Sequence, residues 1–476
     1  MKKRILSLLL TITLIISLCA VTEASGANTV LYGDTDGDGE VNIIDATLIQ
    51  RHLIGLTALD EAALQRATVS GSDELSIIDA TLIQRYDVKL IFSFPVEGQT
   101  ESKVKDIITI HFTNNKKWTP VNAYFYNKST GAALKEWPGI ELSDYTLNTK
   151  GEQVYSADVD VTLYDRVIFN SGTKQTTEIP VTKASSGYSI HGRVGKKYYP
   201  DIYAYEAAGN GKVKTVVMDY PDGYKKKVYI WTPEGYDPED TSKKYSVLYM
   251  CDGQNLFGNV PNLSGFYWQC QDTVNSLMSN GGDGVIIVGI DNNDDMRVTE
   301  LTPDLIPLDP EAYAGHYAGG YVYPEFRGEV YSDFISDTVI PYVDSHYNTN
   351  STRGIAGSSC GGQAAFYIGM ENMDKFSYIG AFSSAFAYFP PEIWDKYLSS
   401  KDFSGDVPFV YLYTGMNKDD STEQWIYPTA VLMDGWLTEH NYPADKKVNI
   451  MDADARHHES FWAIYMPEML CKGLGL

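Results

Sequence analysis

GIAGSSCGGQAAFYIGM, residues 354–370, sets a pair of serines among glycines, after an apolar run and before a helical one. One register of G-x-S-x-G fits, Gly357-Ser358-Ser359-Cys360-Gly361; Ser358 has Ala356 and Cys360 at its flanking positions. A strand that turns abruptly into a helix needs small residues on both sides of the apex. Ser359 is therefore expected to project from a nucleophile elbow.

A projecting hydroxyl attacks only when a base takes its proton and an acid holds that base in place. Of eight histidines, His457 and His458 stand in ARHHESFW, after the strand-like KKVNIMDA. Between serine and histidine, VPFVYLYTGMNKDD ends a strand pattern with Asp419 and Asp420. The order Ser, Asp, His is that of α/β-hydrolases. Apolar strands in YSVLYMCDGQNLF and DGVIIVGID alternate with helical stretches such as VYSDFISDTVIPYVDSHY. That alternation predicts a mostly parallel, doubly wound sheet over residues 213–476.

These segments resemble the esterase D group, which includes carbohydrate-esterase family one with its feruloyl and acetylxylan esterases. The resemblance rests on Y-x-x-D-G-Q-N-L-F, VGIDNN followed by R-x-x-E-L-x-P, G-E-V-Y-x-x-F-I, and H-x-E-x-x-W. It implies Ser359 as nucleophile and His457 as base. The backbone N–H groups of Gln254 and Cys360 become donors to the developing oxyanion. The family's acid often stands three residues after the strand's glycine, where this chain has Lys418; Asp419 is taken instead, with Asp420 in reserve. No cofactor is implied for catalysis.

The chain of 476 residues is too long for one core. MKKRILSLLLTITLIISLCAVTEASGA, residues 1–27, has the basic start, apolar middle and small-residue end of a secretory signal peptide. A lipoprotein reading through Cys19 is disfavoured, because Leu18 stands where a small residue is needed. Cys251, Cys270, Cys360 and Cys471 follow, too few for a disulfide framework and not spaced as a zinc site. A net charge of −24 argues against nucleic acid or an anionic membrane as partner.

IIDATLIQR occurs at residues 43–51 and again at 77–85. DTDGDGEVNIID precedes and overlaps the first copy, with Asp34, Asp36 and Asp38 at loop positions that supply oxygen to Ca²⁺. Gly39 stands at the sharp turn, Glu40 would offer its carbonyl, and Asp45 would close the loop. Two loop-and-helix units resemble a dockerin, spanning 28–92, which implies a cohesin on a scaffold protein as partner. The second loop has Thr68, Ser70 and Ser72 at the corresponding positions, so it should hold calcium weakly or not at all. The family's usual Ser-Thr pair is here Ile43-Ile44 and Ile77-Ile78.

Residues 104–182 read as short alternating strands of a β-sandwich, followed by a linker over 183–212. The joint pattern W-x-x-V-x-A-Y-x-Y, then WPG, then FNSGTKQ resembles the starch-binding module of carbohydrate-binding family twenty-six. That resemblance implies α-glucan contacts from Tyr124, Tyr126, Trp137 and Gln175. The expectation for the whole is a secreted, scaffold-attached serine carboxylesterase acting on plant polysaccharide and targeted to starch. The alternatives are a non-catalytic glycan-binding component and an acyltransferase to a sugar.

Overall fold

The computed structural model describes residues 31–72, 74–88, 94–95, 106–185, 187–202, 211–257, 266–292, 296–305 and 326–476. The signal-peptide reading, with Cys19, and most of the Gly- and Tyr-rich stretch 316–328 lie outside them. Residues 1–104 and 105–476 form two separate compact units.

In the first unit, helix α1 (Ile43–Leu53) and helix α3 (Ile77–Asp87) carry the duplicated nonapeptide, with α2 (Glu61–Ala67) between them. Each copy starts with the same capping box, Asn42 with Asp45 and Ser76 with Asp79. Ala46, Ile49, Ala80 and Ile83 turn inward to a small core. Ile43 and Ile77 are about half exposed. The helical period decides which residues of the repeat are packed and which are presented.

The second unit opens with a β-sandwich. Its strands are β1 (Ile107–Thr113), β2 (Asn122–Tyr126), β3 (Ile140–Glu141), β4 (Tyr145–Leu147), β5 (Gln153–Asp160), β6 (Arg166–Asn170), β7 (Ile179–Pro180), β8 (Gly187–Val194) and β9 (Lys197–Ile202). They form sheets of order β4-β5-β1-β8-β9 and β3-β2-β6-β7. Phe112 and Phe169 stack at 4.3 Å in the core between them. The expected linker over 183–212 is corrected by β8 and β9. β8 pairs in parallel with β1 (Phe112 opposite Tyr188), and β9 pairs with β8 across a turn at Gly195. Their alternation is broken by glycine, histidine and lysine, but Tyr188 and Ile190 are buried all the same.

The large sheet runs β10 (Lys212–Tyr220), β11 (Tyr224–Thr232), β12 (Tyr245–Cys251), β13 (Val285–Ile290), β14 (Thr349–Ser358), β15 (Tyr378–Phe382), β16 (Phe409–Gly415) and β17 (Lys447–Asp452) in chain order. Its spatial order is β10-β11-β13-β12-β14-β15-β16-β17, parallel from β13 to β17. Helices α4 (Cys270–Ser279), α5 (Cys360–Glu371), α6 (Ser421–Glu439) and α7 (Glu459–Leu474) cover it. Every residue of β13, VIIVGI, is buried, as a strand covered on both faces requires. Helix α7 is buried throughout Ser460–Cys471. A helix apolar on all sides needs a second cover, and β9 of the sandwich provides one, with Tyr199 and Phe461 rings 4.6 Å apart. Among the described residues no helix is long and apolar enough to cross a membrane, and the four cysteines are free and buried.

Candidate functional site

Ser359 stands between β14 and α5 with φ +58° and ψ −125°. The glycines around it are required by space. A Cβ on Gly357 would sit 2.4 Å from the Gly361 carbonyl oxygen, and one on Gly361 would sit 2.9 Å from Asp252 Oδ2. The turn is held by Ser359 N–H donating to the Phe382 carbonyl (2.9 Å) and by Ala385 N–H donating to the Ser359 carbonyl (3.0 Å). Strain at a non-glycine residue in this region of backbone space is the kind that functional sites retain.

His457 lies in the loop after β17, at the same edge of the parallel sheet. Its Nδ1 is 3.2 Å from Oε1 of Glu423, a fully buried carboxylate in the first turn of α6. Asp419, the expected partner, is exposed in the turn before that helix, its N–H donating to Asn417 Oδ1 (3.0 Å). The reserve, Asp420, is also not beside the ring. It caps α6 and accepts the His457 backbone N–H at 3.1 Å. Glu423 is held by Ser383, whose hydroxyl donates to Oε1 at 2.6 Å and accepts from Trp462 Nε1 at 3.1 Å. Gly415 makes room, since a Cβ there would come within 2.9 Å of the Glu423 carboxyl carbon. The Trp462 ring stands edge-on to His457 at 5.0 Å.

Gln254 sits in the single helical turn Gly253–Asn255 after β12, and Cys360 opens α5 after β14. These strands are neighbours, with Met250 opposite Ala356, so both turns leave the same edge. Asp252 pins the first turn with a two-pronged ion pair to Arg297, Nε at 2.8 Å and Nη2 at 2.6 Å. It accepts from Asn292 as well. The aspartate and arginine of two separate sequence motifs therefore meet each other.

On the sandwich, the Tyr124 and Tyr126 rings stack at 5.2 Å, and Trp137 stands edge-on to Tyr124 at 5.3 Å. Trp137 is 46% exposed. Gly139 of the WPG turn packs against bare backbone, where a Cβ would lie 2.2 Å from the Ala123 carbonyl oxygen. Gln175 bridges to Asn170 on β6, the strand beside β2, so it belongs to the same sheet. The Tyr126 hydroxyl binds Glu178, which also takes Lys128 Nζ (2.6 Å) and Arg166 Nε (3.3 Å). Arg166 reaches on to Glu468 of α7 at 3.2 Å, both side chains nearly inaccessible.

In the first loop of the dockerin-like unit, carboxylate oxygens of Asp34, Asp36 and Asp38 gather within 4.8 Å of one another. That set of hard oxygens fits a calcium ion. Glu40 follows, its N–H donating to Asp38 Oδ1 (2.8 Å). Asp45 is not among the gathered carboxylates. It is buried under the loop and accepts the N–H groups of Thr35 (2.6 Å), Asp36 (3.2 Å) and Asn42 (2.9 Å). Burial raises its pKa against the pull of those bonds. In the second loop Asp79 accepts from Val69, Ser70 and Ser76 in the same manner. There the Ser70 and Ser72 hydroxyls bond to each other at 2.8 Å. Titration of the calcium-free chain is thus expected to show a single tight Ca²⁺ site, abolished by Asp36→Ala and untouched by Ser72→Ala. Two equal sites in calorimetry would contradict it.

Three family models match the chain: a dockerin type I domain over residues 32–86, starch-binding module 26 over 110–180, and Esterase over 223–441. Endo-1,4-beta-xylanase Y of Acetivibrio thermocellus is 25% identical over 222 residues, 43% of this chain and 17% of that protein's length. Among solved structures, a siderophore hydrolase from Aspergillus nidulans is similar at 16% identity and TM-score 0.45, covering 58% of this chain and 99% of that one. A ferulic acid esterase from Anaeromyces mucronatus is similar at 20% identity and TM-score 0.39, covering 56% and 92%. The chain thus matches the models of a type I dockerin domain, starch-binding module 26 and an Esterase domain, the last laid on a doubly wound, mostly parallel sheet.

Proposed function

We propose that this chain is a secreted, scaffold-borne serine carboxylesterase that removes acetyl or feruloyl groups from plant polysaccharide. The observation that carries the reading is His457 bonded to buried Glu423 at the sheet edge from which the strained Ser359 turn also leaves. With Nδ1–H committed to Glu423, Nε2 carries the lone pair that accepts the Ser359 proton as Oγ attacks the ester carbonyl. The N–H groups of Gln254 and Cys360 receive the charge on the carbonyl oxygen, the latter at a helix start where the backbone dipole adds to it. Collapse expels the sugar alkoxide, protonated by His457. Water, deprotonated by the same imidazole, then frees the acid.

The exposed Trp137 with Tyr124 and Tyr126 supports α-glucan targeting, since flat rings suit the C–H faces of sugars. The gathered aspartates support structural calcium and docking to a cohesin. Wild type is expected to hydrolyse acetylated or feruloylated xylo-oligosaccharides, and Ser359→Ala to lose at least about 10³-fold in kcat. Undiminished turnover in that variant, read by release of free acid, would overturn the proposal.

A further inference from the structure

The sandwich sends a group of rings and polar atoms to the neighbourhood of the catalytic histidine. His191 of β8 stacks on Tyr199 at 5.1 Å and lies 5.6 Å from Phe266 and 6.3 Å from His458. Phe266 and His458 meet edge-to-face at 4.2 Å. Asp201 faces His191 Nδ1 at 3.4 Å and accepts from Gln269 Nε2 at 3.1 Å.

Two backbone features place this group. The register of β8 against β9 slips between Ile190 and Gly192, and a bulge of that kind re-aims the residue it carries, here His191. Gly192 offers bare backbone to Tyr199, whose hydroxyl would lie 2.5 Å from a Cβ there. His458 Nδ1 accepts the Ser460 N–H at 3.2 Å, so its proton sits on Nε2.

The Arg166–Glu468 pair that joins the two modules is buried. Here the His191 and Asp201 side chains are each 26% exposed and Phe266 is 36% exposed. Ring faces beside a carboxylate, an amide and imidazoles form a mixed surface that suits a hydroxylated ring better than an aromatic acid. We propose that His191, Tyr199 and Asp201 of the sandwich, with Phe266 and His458, form a sugar subsite for the glycan that bears the scissile ester. This deepens the esterase reading and rests on it.

The test compares kcat/KM on acetylated xylo-oligosaccharides with that on an aryl acetate. In His191→Ala the ratio falls about tenfold, through KM for the oligosaccharide, and His191→Tyr restores most of it. An unchanged ratio, or equal losses on both substrates, overturns the subsite. If wild type cleaves the aryl acetate but no acylated oligosaccharide, the functional reading fails by itself. The subsite is then judged by calorimetry of unesterified xylo-oligosaccharides on Ser359→Ala, with Trp137→Ala silencing the other platform. Adding His191→Ala weakens binding about tenfold there, and unaltered binding refutes it.

Discussion

Glu423→Gln lowers kcat/KM on an aryl acetate by about 10³–10⁴-fold, whereas Asp419→Asn stays within about twofold of wild type. The carboxylate does more than sit near the imidazole. In the proposed mechanism it holds the proton on Nδ1, leaving Nε2 to accept, and stabilises the imidazolium formed during attack. The amide, of the same shape, can present its NH₂ group and favour the wrong tautomer. Glu423 is fully buried and fixed by the Ser383 hydroxyl at 2.6 Å, so no water replaces it. Ser383→Ala leaves the carboxylate but not its anchor, and a smaller loss, about tenfold to a hundredfold, is expected. Steady-state kinetics on the purified chain decides the matter. A large loss in Asp419→Asn with little in Glu423→Gln would return the acid to the loop.

The second large effect concerns stability. Arg166 and Glu468 pair at 3.2 Å with side chains 4% and 6% exposed, and the Tyr411 hydroxyl donates to the same glutamate at 3.1 Å. Glu468→Ala leaves a buried guanidinium without this partner, an error that costs about 3–5 kcal/mol. Glu178 stays within 3.3 Å of Arg166 Nε, so the lower end is expected. The double variant Arg166→Met with Glu468→Met should recover much of the loss, because two apolar side chains of similar volume need no partner. Urea unfolding followed by tryptophan fluorescence reads both variants. A single-variant cost below about 1 kcal/mol, the range of an exposed pair, would show that the seam is open to water.

What could be read in the amino-acid order was local. The Ser359 turn, the histidine loop and the duplicated helices each declare themselves within a dozen or so residues, through glycine spacing, strand-to-helix change and identity of repeat. The orienting acid does not. Glu423 lies inside a helix, past its N-cap Asp420, and is selected by Ser383 and Gly415 from other parts of the chain. Which carboxylate meets His457 is decided by packing between distant segments and not by any local motif. Asp45 shows a related limit: one carboxylate suits both a metal loop and a capping box, and here it accepts the N–H groups of Thr35 and Asn42. Strands β8 and β9 were hidden because a bulge and a glycine interrupt their alternation.

Because β8 pairs with β1 and β9 covers α7, the sandwich that matches a starch-binding module is mounted on the Esterase domain without slack. A flexible leash would let the enzyme graze over a wide disc around each anchoring point. A stiff mount confines it to bonds that the surrounding fibre already presents at one fixed offset and angle. Turnover on a solid should then follow how densely the two kinds of chain are interwoven, and grinding or swelling the material should matter more than adding protein.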